Sequence, residues 1–133
     1  MKDGKYKILL VDDDKFLVDM YLLKFKQSGF DAEAVLGSIE ALEKVREDSS
    51  YQIIVIDLIM PVMDGFQLLE SIRKEKLAEK SGIVVLSNQG QQSDMDKAKE
   101  FGIDGYVIKA NTIPSEVVNL IKKIAENKFG EKK

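Results

Sequence analysis

Short runs of consecutive apolar residues recur along this chain, and helical spacing follows each of them. The runs are YKILLV (6–11), QIIVI (52–56), IVVL (83–86) and GYVI (105–108), with a more polar DAEAVL at 31–36. A short, continuous apolar run reads as a strand buried on both faces, whereas apolar residues three or four apart read as an amphipathic helix. The first helix is expected from Asp14, as its cap, to about Ser28, with Gly29 closing it. The second starts at a Ser38 cap and carries Ile39, Leu42 and Val45; the third carries Phe66, Leu69 and Ile72. The fourth starts at a Ser93 cap, carries Met95, Ala98 and Phe101, and closes at Gly102; the fifth spans about Ile113 to Asn127. Strands joined by helices run parallel, and parallel sheets are covered on both faces. The expected fold is α/β: a doubly wound, five-stranded parallel sheet in the flavodoxin-like order 2-1-3-4-5, helices on both faces. That order places the weaker second strand and the short fifth at the edges. With no repeat or linker in the 133 residues, one domain is expected over 1–133, with a core at about 6–127 and a frayed tail at 128–133.

Composition narrows the chemistry. There is no cysteine and no histidine, which excludes disulfides, thiol nucleophiles, zinc fingers and a Ser-His-Asp triad. Any metal must be a hard ion taking oxygen ligands. The net charge of −3, without a long basic run, argues against nucleic acid as a direct partner. No apolar run approaches the ~20 residues of a membrane helix, and MKDGKYK leads into the first strand without a signal-peptide pattern. No membrane association and a cytoplasmic location are the expectations.

The residues closing the strands are more informative. Strand one ends in Asp12, Asp13 and Asp14, strand three in Asp57, strand four in Ser87, strand five in Lys109. In a parallel sheet these ends share one edge, and open α/β sheets bind ligands there. Acids gathered at one point repel and raise each other's pKa. Lys109 offsets one charge, and a divalent cation offsets the rest. Mg²⁺ suits this role, since it accepts a few carboxylates and keeps places for water and phosphate oxygens. A carboxylate beside a lysine, a hydroxyl and Mg²⁺ makes a phosphoryl-transfer site, and the carboxylate itself can be the nucleophile. Asp14 alone reads as a helix cap.

At these positions the chain resembles a bacterial two-component response-regulator receiver domain over essentially its whole length. ILLVDDD (8–14) is similar to the family's acidic motif, DLIMPVMDG (57–65) to its phosphoacceptor motif, and VVLS (84–87) and YVIK (106–109) to its hydroxyl and lysine motifs. The resemblance implies a stand-alone phosphorylation switch. Asp57 accepts a phosphoryl group from the phosphohistidine of a sensor histidine kinase or phosphotransfer protein. Asp13 ligates Mg²⁺ directly, Asp12 partly through water, and the Ile59 backbone carbonyl adds a ligand. Ser87 bonds the phosphoryl oxygens, Lys109 neutralises them, and Tyr106 is the aromatic switch. Pro61, Asp64 and Gly65 shape the turn into the next helix. Ile59 and Gln89, each two positions beyond a site residue, set the lifetime of the acyl phosphate. Two positions depart from the pattern: Ala110 stands where proline usually follows the lysine, and Asn88 where alanine usually follows the hydroxyl. The Lys109–Ala110 bond is expected to be trans, because a non-proline cis bond costs ~2.5–4 kcal/mol.

The first helix is apolar on more than one side. Leu17, Met20, Tyr21 and Phe25 form one stripe, while Phe16, Leu22 and Leu23 fall off it and are candidates for docking the kinase. Because the chain ends soon after the fifth helix, output is expected through an unidentified downstream protein; a homodimer formed on phosphorylation is a further expectation. Two other classes compete. A phosphatase of the haloacid-dehalogenase type also forms an aspartyl phosphate, but it resembles a motif with a second acid two residues on, where this chain has Ile59. An unphosphorylated interaction module does not need the acid, hydroxyl and lysine set.

Overall fold

The computed structural model describes residues 6–88 and 90–130. Five strands alternate with five helices: β1 (Lys7–Val11), α1 (Lys15–Gln27), β2 (Asp31–Val35), α2 (Ser38–Glu47), β3 (Ile53–Ile56), α3 (Gly65–Lys74), β4 (Gly82–Ser87), α4 (Gln92–Lys99), β5 (Gly105–Ile108) and α5 (Pro114–Phe129). A short 3₁₀ turn, Lys109–Asn111, follows β5. The strands form one parallel sheet in the order β2-β1-β3-β4-β5. This is the expected doubly wound arrangement.

The apolar runs are continuous because neighbouring residues feed opposite layers. Leu9, Val11, Ile54, Ile56, Ile83 and Val85 face α2, α3 and Ala98 of α4. Ile8, Leu10, Ile53, Val55, Val84 and Leu86 face α1 and α5. Side chains alternate across a strand, so only an unbroken apolar sequence can cover a sheet buried on both sides.

Several local expectations change. Ser38 is not a cap but the first residue of α2, after Gly37; its hydroxyl is buried and lies 3.9 Å from the Met60 sulfur. Ser93 likewise lies inside α4, whose cap position is Gln91. In α1 the buried residues are Val18, Tyr21 and Phe25, and Leu22 is half-buried against the same layer. Asp14 does cap α1, its carboxylate accepting from the amides of Phe16 and Leu17. The frayed tail does not begin at 128. α5 continues to Phe129, whose ring packs near Tyr6 with centroids 6.5 Å apart, and the Tyr6 hydroxyl donates to the Gly130 carbonyl. The remainder of that expected tail, 131–133, lies outside the described residues. The Lys109–Ala110 bond is trans, as expected.

The turn from β3 into α3 is fixed by a close approach of backbone to backbone. The Gly65 amide donates to the Leu58 carbonyl at 2.9 Å. A β-carbon on Gly65 would lie 2.4 Å from the Asp57 carbonyl oxygen and 2.6 Å from the Leu58 α-carbon. Neither neighbour is a side chain that can turn away, so any larger residue pushes the helix off the strand end. Gly65→Ala is expected to destabilise the protein by roughly 1–3 kcal/mol, as overpacking does elsewhere, and chemical denaturation of both proteins checks it.

Candidate active site

The sheet's carboxyl edge gathers the acids. Asp12 and Asp13 follow β1, Asp57 follows β3, Ser87 ends β4, and Lys109 opens the turn after β5. One carboxylate oxygen from each of Asp12, Asp13 and Asp57 lies within 4.8 Å of the others. With Lys109 they line a cleft of about 270 Å³, walled by Leu17, Ile59 and Asn88. Asp12 and Asp57 are buried, while Asp13 is exposed to solvent.

Each buried charge has partners. The Lys109 ammonium lies 2.6 Å from an Asp12 oxygen and 3.4 Å from Asp57 Oδ2. Asp57 Oδ1 accepts from the Ile59 amide at 3.2 Å, and Ser87, at the end of the neighbouring β4, acts to lower the pKa of the same carboxylate. Asp12 Oδ1 accepts from the Asp14 amide at 3.0 Å, which fixes the start of the following turn.

Burial, rather than repulsion, is the main influence on Asp57. Desolvation pushes its pKa above the ordinary carboxylate value; Lys109 opposes this, and the nearby Asp12 adds to it. Lys109 is pushed the other way by burial, but the Asp12 hydrogen bond and the charges of Asp57 and Asp12 prevail and raise its pKa. It therefore stays an ammonium ion at neutral pH.

The remaining candidates fall outside the cleft. Tyr106 is half-buried on β5 against the α3 side of the core. Burial raises its hydroxyl pKa, and Asp94 and Asp57 raise it further. On α1, Phe16 is 84% and Leu23 58% exposed, whereas Leu22 packs inward and is poorly placed for a partner. Gln89 lies outside the described residues. Leu17 and Asn88 enter the cleft wall without having been candidates; only their neighbourhood to Asp13 and Ser87 in sequence pointed to them.

This arrangement can hold a hard cation. Three carboxylates converge on one point, and the Lys109 ammonium is shared between two of them. The donor set is all oxygen, which suits Mg²⁺ rather than a thiophilic metal.

Comparison with known proteins agrees. The model of the response regulator receiver domain matches residues 8–124. Among curated relatives, a CpxR-homologue transcriptional regulatory protein of Haemophilus influenzae is 34% identical over 77% of this chain and 43% of its own length. The alkaline phosphatase synthesis transcriptional regulatory protein PhoP of Bacillus subtilis is 31% identical over 89% of this chain and 48% of its own. The chain thus spans about half the length of the curated relatives it matches. Among solved structures, the receiver domain of the Francisella response regulator 1452 superposes with a TM-score of 0.83 at 27% identity, covering 92% of this chain and 98% of that one. A CheY-like receiver protein of Methanospirillum hungatei has the same fold, with a TM-score of 0.84 at 22% identity over 93% of this chain and 96% of that one.

The Asp57 environment gives a pH test. A carboxyl whose folded pKa lies above its unfolded value binds more protons folded than unfolded between the two values. Stability therefore falls as pH rises through that window, and the loss is complete once pH has passed the folded value. Asp57→Asn removes the loss and leaves Lys109 paired with Asp12. Its Tm is expected to exceed that of wild type at pH 7, with the gain vanishing as pH falls below the ordinary value of 3.8. Calorimetry of both proteins across this range checks the sign.

Proposed function

Because this chain belongs to the response regulator receiver domain family, we propose that it is a phosphorylation switch in which Asp57 takes a phosphoryl group from a phosphohistidine of a sensor kinase or phosphotransfer protein. The observation that carries this reading is the buried Asp57 carboxylate, paired with Lys109 beside two further acids.

The residues divide the work. Asp57 is the nucleophile: one of its oxygens bonds to phosphorus as the bond to the donor's imidazole nitrogen breaks, and the electron pair leaves with the imidazole. The Ile59 amide orients the carboxylate before attack, and Ser87 stands at the end of the neighbouring β4. Lys109 supplies a fixed positive charge where the phosphoryl oxygens arrive, a stabilisation worth most in a site with little water. Asp12, Asp13, Asp57 and the Ile59 carbonyl are the groups that would hold Mg²⁺. Held by these groups, Mg²⁺ would supply charge neutralisation for the transferring group. Tyr106, packed on the neighbouring strand, is the residue proposed to report the change at Ser87. Phe16 and Leu23 are the exposed α1 residues proposed to meet the kinase. No described helix is long and apolar enough to cross a membrane, and a cysteine-free chain suits work in the cytosol.

Incubation with Mg²⁺ and phosphoramidate, followed by intact mass, tests the reading. Wild type is expected to gain one phosphoryl group, and Asp57→Asn none. Repeated turnover of small phosphate esters would favour a phosphatase instead.

The lifetime of the phosphorylated form has its own handle. The Ile59 side chain walls the cleft and has no polar atom to orient an attacking water. Hydrolysis requires that water in line with phosphorus. Ile59→Asn is expected to lose its phosphoryl group about tenfold faster, a difference of about 1.4 kcal/mol in barrier. Following phosphate release after donor removal checks this; an equal or slower rate removes the shielding role.

A further inference from the structure

Lys109 has a long way to reach. It leaves the sheet after β5, whereas Asp12 follows β1, and β4 and β3 lie between those two strands. Neighbouring strands stand about 4.8 Å apart. To bring its ammonium within 2.6 Å of Asp12 and 3.4 Å of Asp57, the lysine stem must lie stretched across the strand ends. A lysine stem is flexible, and its strongly hydrated head favours water. The Lys109 side chain is nevertheless only 11% exposed, so a neighbouring group must cover it.

Strand alternation shows on which side that group lies. Leu10, Val55 and Val107 point into the layer shared with α1 and α5. Asp12, Asp57 and Lys109 each stand two residues further on, and alternate residues share a face. The lysine stem therefore runs along the α1 side of the sheet edge. There Leu17 lines the cleft, and Tyr21, one helical turn on, is buried in the same layer at 4% exposure. Long side chains on a helix lean towards its N-terminus, which for α1 is the cleft end. The Tyr21 hydroxyl also feels this pair of charges: burial raises its pKa, Lys109 lowers it and Asp12 raises it.

Tyr21 is held from behind. The Phe25 ring, one turn further along the same stripe, lies with its centroid 6.3 Å from that of Tyr21. Phe25 is fully buried and meets Phe30 edge-on at 5.3 Å. Three rings packed in a row give Tyr21 little room to retreat. A rigid wall beside an ammonium ion limits its rotamers and excludes water, which strengthens its attraction to nearby acids.

We propose that Tyr21 is a positioning residue for Lys109: its ring, backed by Phe25, walls the stretched lysine stem and keeps the ammonium at Asp12 and Asp57, where the phosphoryl oxygens arrive. This rests on the receiver reading above and adds to it a residue that acts through Lys109.

The test uses the full chain and two readouts, acetylation of individual lysines by an N-hydroxysuccinimide ester, read by peptide mass, and the rate of phosphorylation by phosphoramidate with Mg²⁺. Tyr21→Leu removes the ring and Tyr21→Phe keeps it. Ile53→Ala empties a fully buried position of the same layer at the far end of β3 from Asp57, and so controls for lost stability. In Tyr21→Leu, Lys109 is expected to acetylate about threefold faster or more, while Lys7, at the opposite edge of the sheet, keeps its rate. Phosphorylation of Tyr21→Leu is expected to slow about fivefold or more, with Tyr21→Phe and Ile53→Ala within twofold of wild type. If Tyr21→Leu does not fold, Tyr21→Met, which fills the space with a flexible chain, carries the same comparison. Unchanged Lys109 acetylation or an unchanged phosphorylation rate in the ring-less variant overturns the proposal. So does equal slowing in Ile53→Ala or in Tyr21→Phe. Failure of phosphoramidate to label wild type would instead overturn the receiver reading, and acetylation would still decide whether Tyr21 confines Lys109.

Discussion

A carboxylate buried at 7% exposure is costly unless a cation lies nearby, and the rest of the site follows from that constraint at Asp57. Lys109 meets part of the cost from 3.4 Å, but it stands nearer to Asp12, at 2.6 Å. One ammonium ion thus serves two buried acids, with a third acid exposed at the mouth. The metal-free protein is left short of positive charge at the point where three carboxylates meet. That shortage suits the cleft to a hard cation. The raised pKa of Asp57 expresses the same shortage on the scale of protons.

The fold supplies the rigidity that such a site needs. Four of the five strands contribute a residue to it from their carboxyl ends or the turns just beyond, and both faces of those strands are packed. Asp57 is fixed from behind by the approach of Gly65 to its carbonyl and from the side by the Ile59 amide. The same loop then turns through Val62 at positive φ before α3 begins. A rigid acceptor and a strained, exposed neighbour therefore lie within one short segment.

Much of this was legible in the sequence because the determinants are local. The apolar runs at 8–11, 53–56 and 83–86 specify two-sided burial, and two-sided burial specifies a parallel sheet. Asp12, Asp57 and Lys109 follow their strands directly, so the strand order alone brings them together. What escaped was set by tertiary contact. Ser38 has a cap's side chain, but Gly37 takes the cap position and the hydroxyl turns inward to Met60. Leu22 falls off the apolar stripe of α1, yet it packs because the helix rolls towards Val18. Lys128 and Phe129 read as tail, but Tyr6, at the other end of the chain, holds the last turn of α5. Nothing in Pro61-Val62-Met63 announces positive φ at a β-branched residue; the anchors on either side impose it.

The central claim is that Asp57 is a desolvated carboxylate short of positive charge, and its own titration measures this most directly. Carbon-13 NMR of the aspartate side-chain carboxyls, with Asp57 assigned by its loss in Asp57→Asn, follows that titration with and without Mg²⁺. The account predicts that Asp57 in the metal-free protein titrates above the ordinary carboxylate value and moves down when Mg²⁺ is added. An Asp57 that titrates at or below the ordinary value without metal, and does not respond to Mg²⁺, would contradict it.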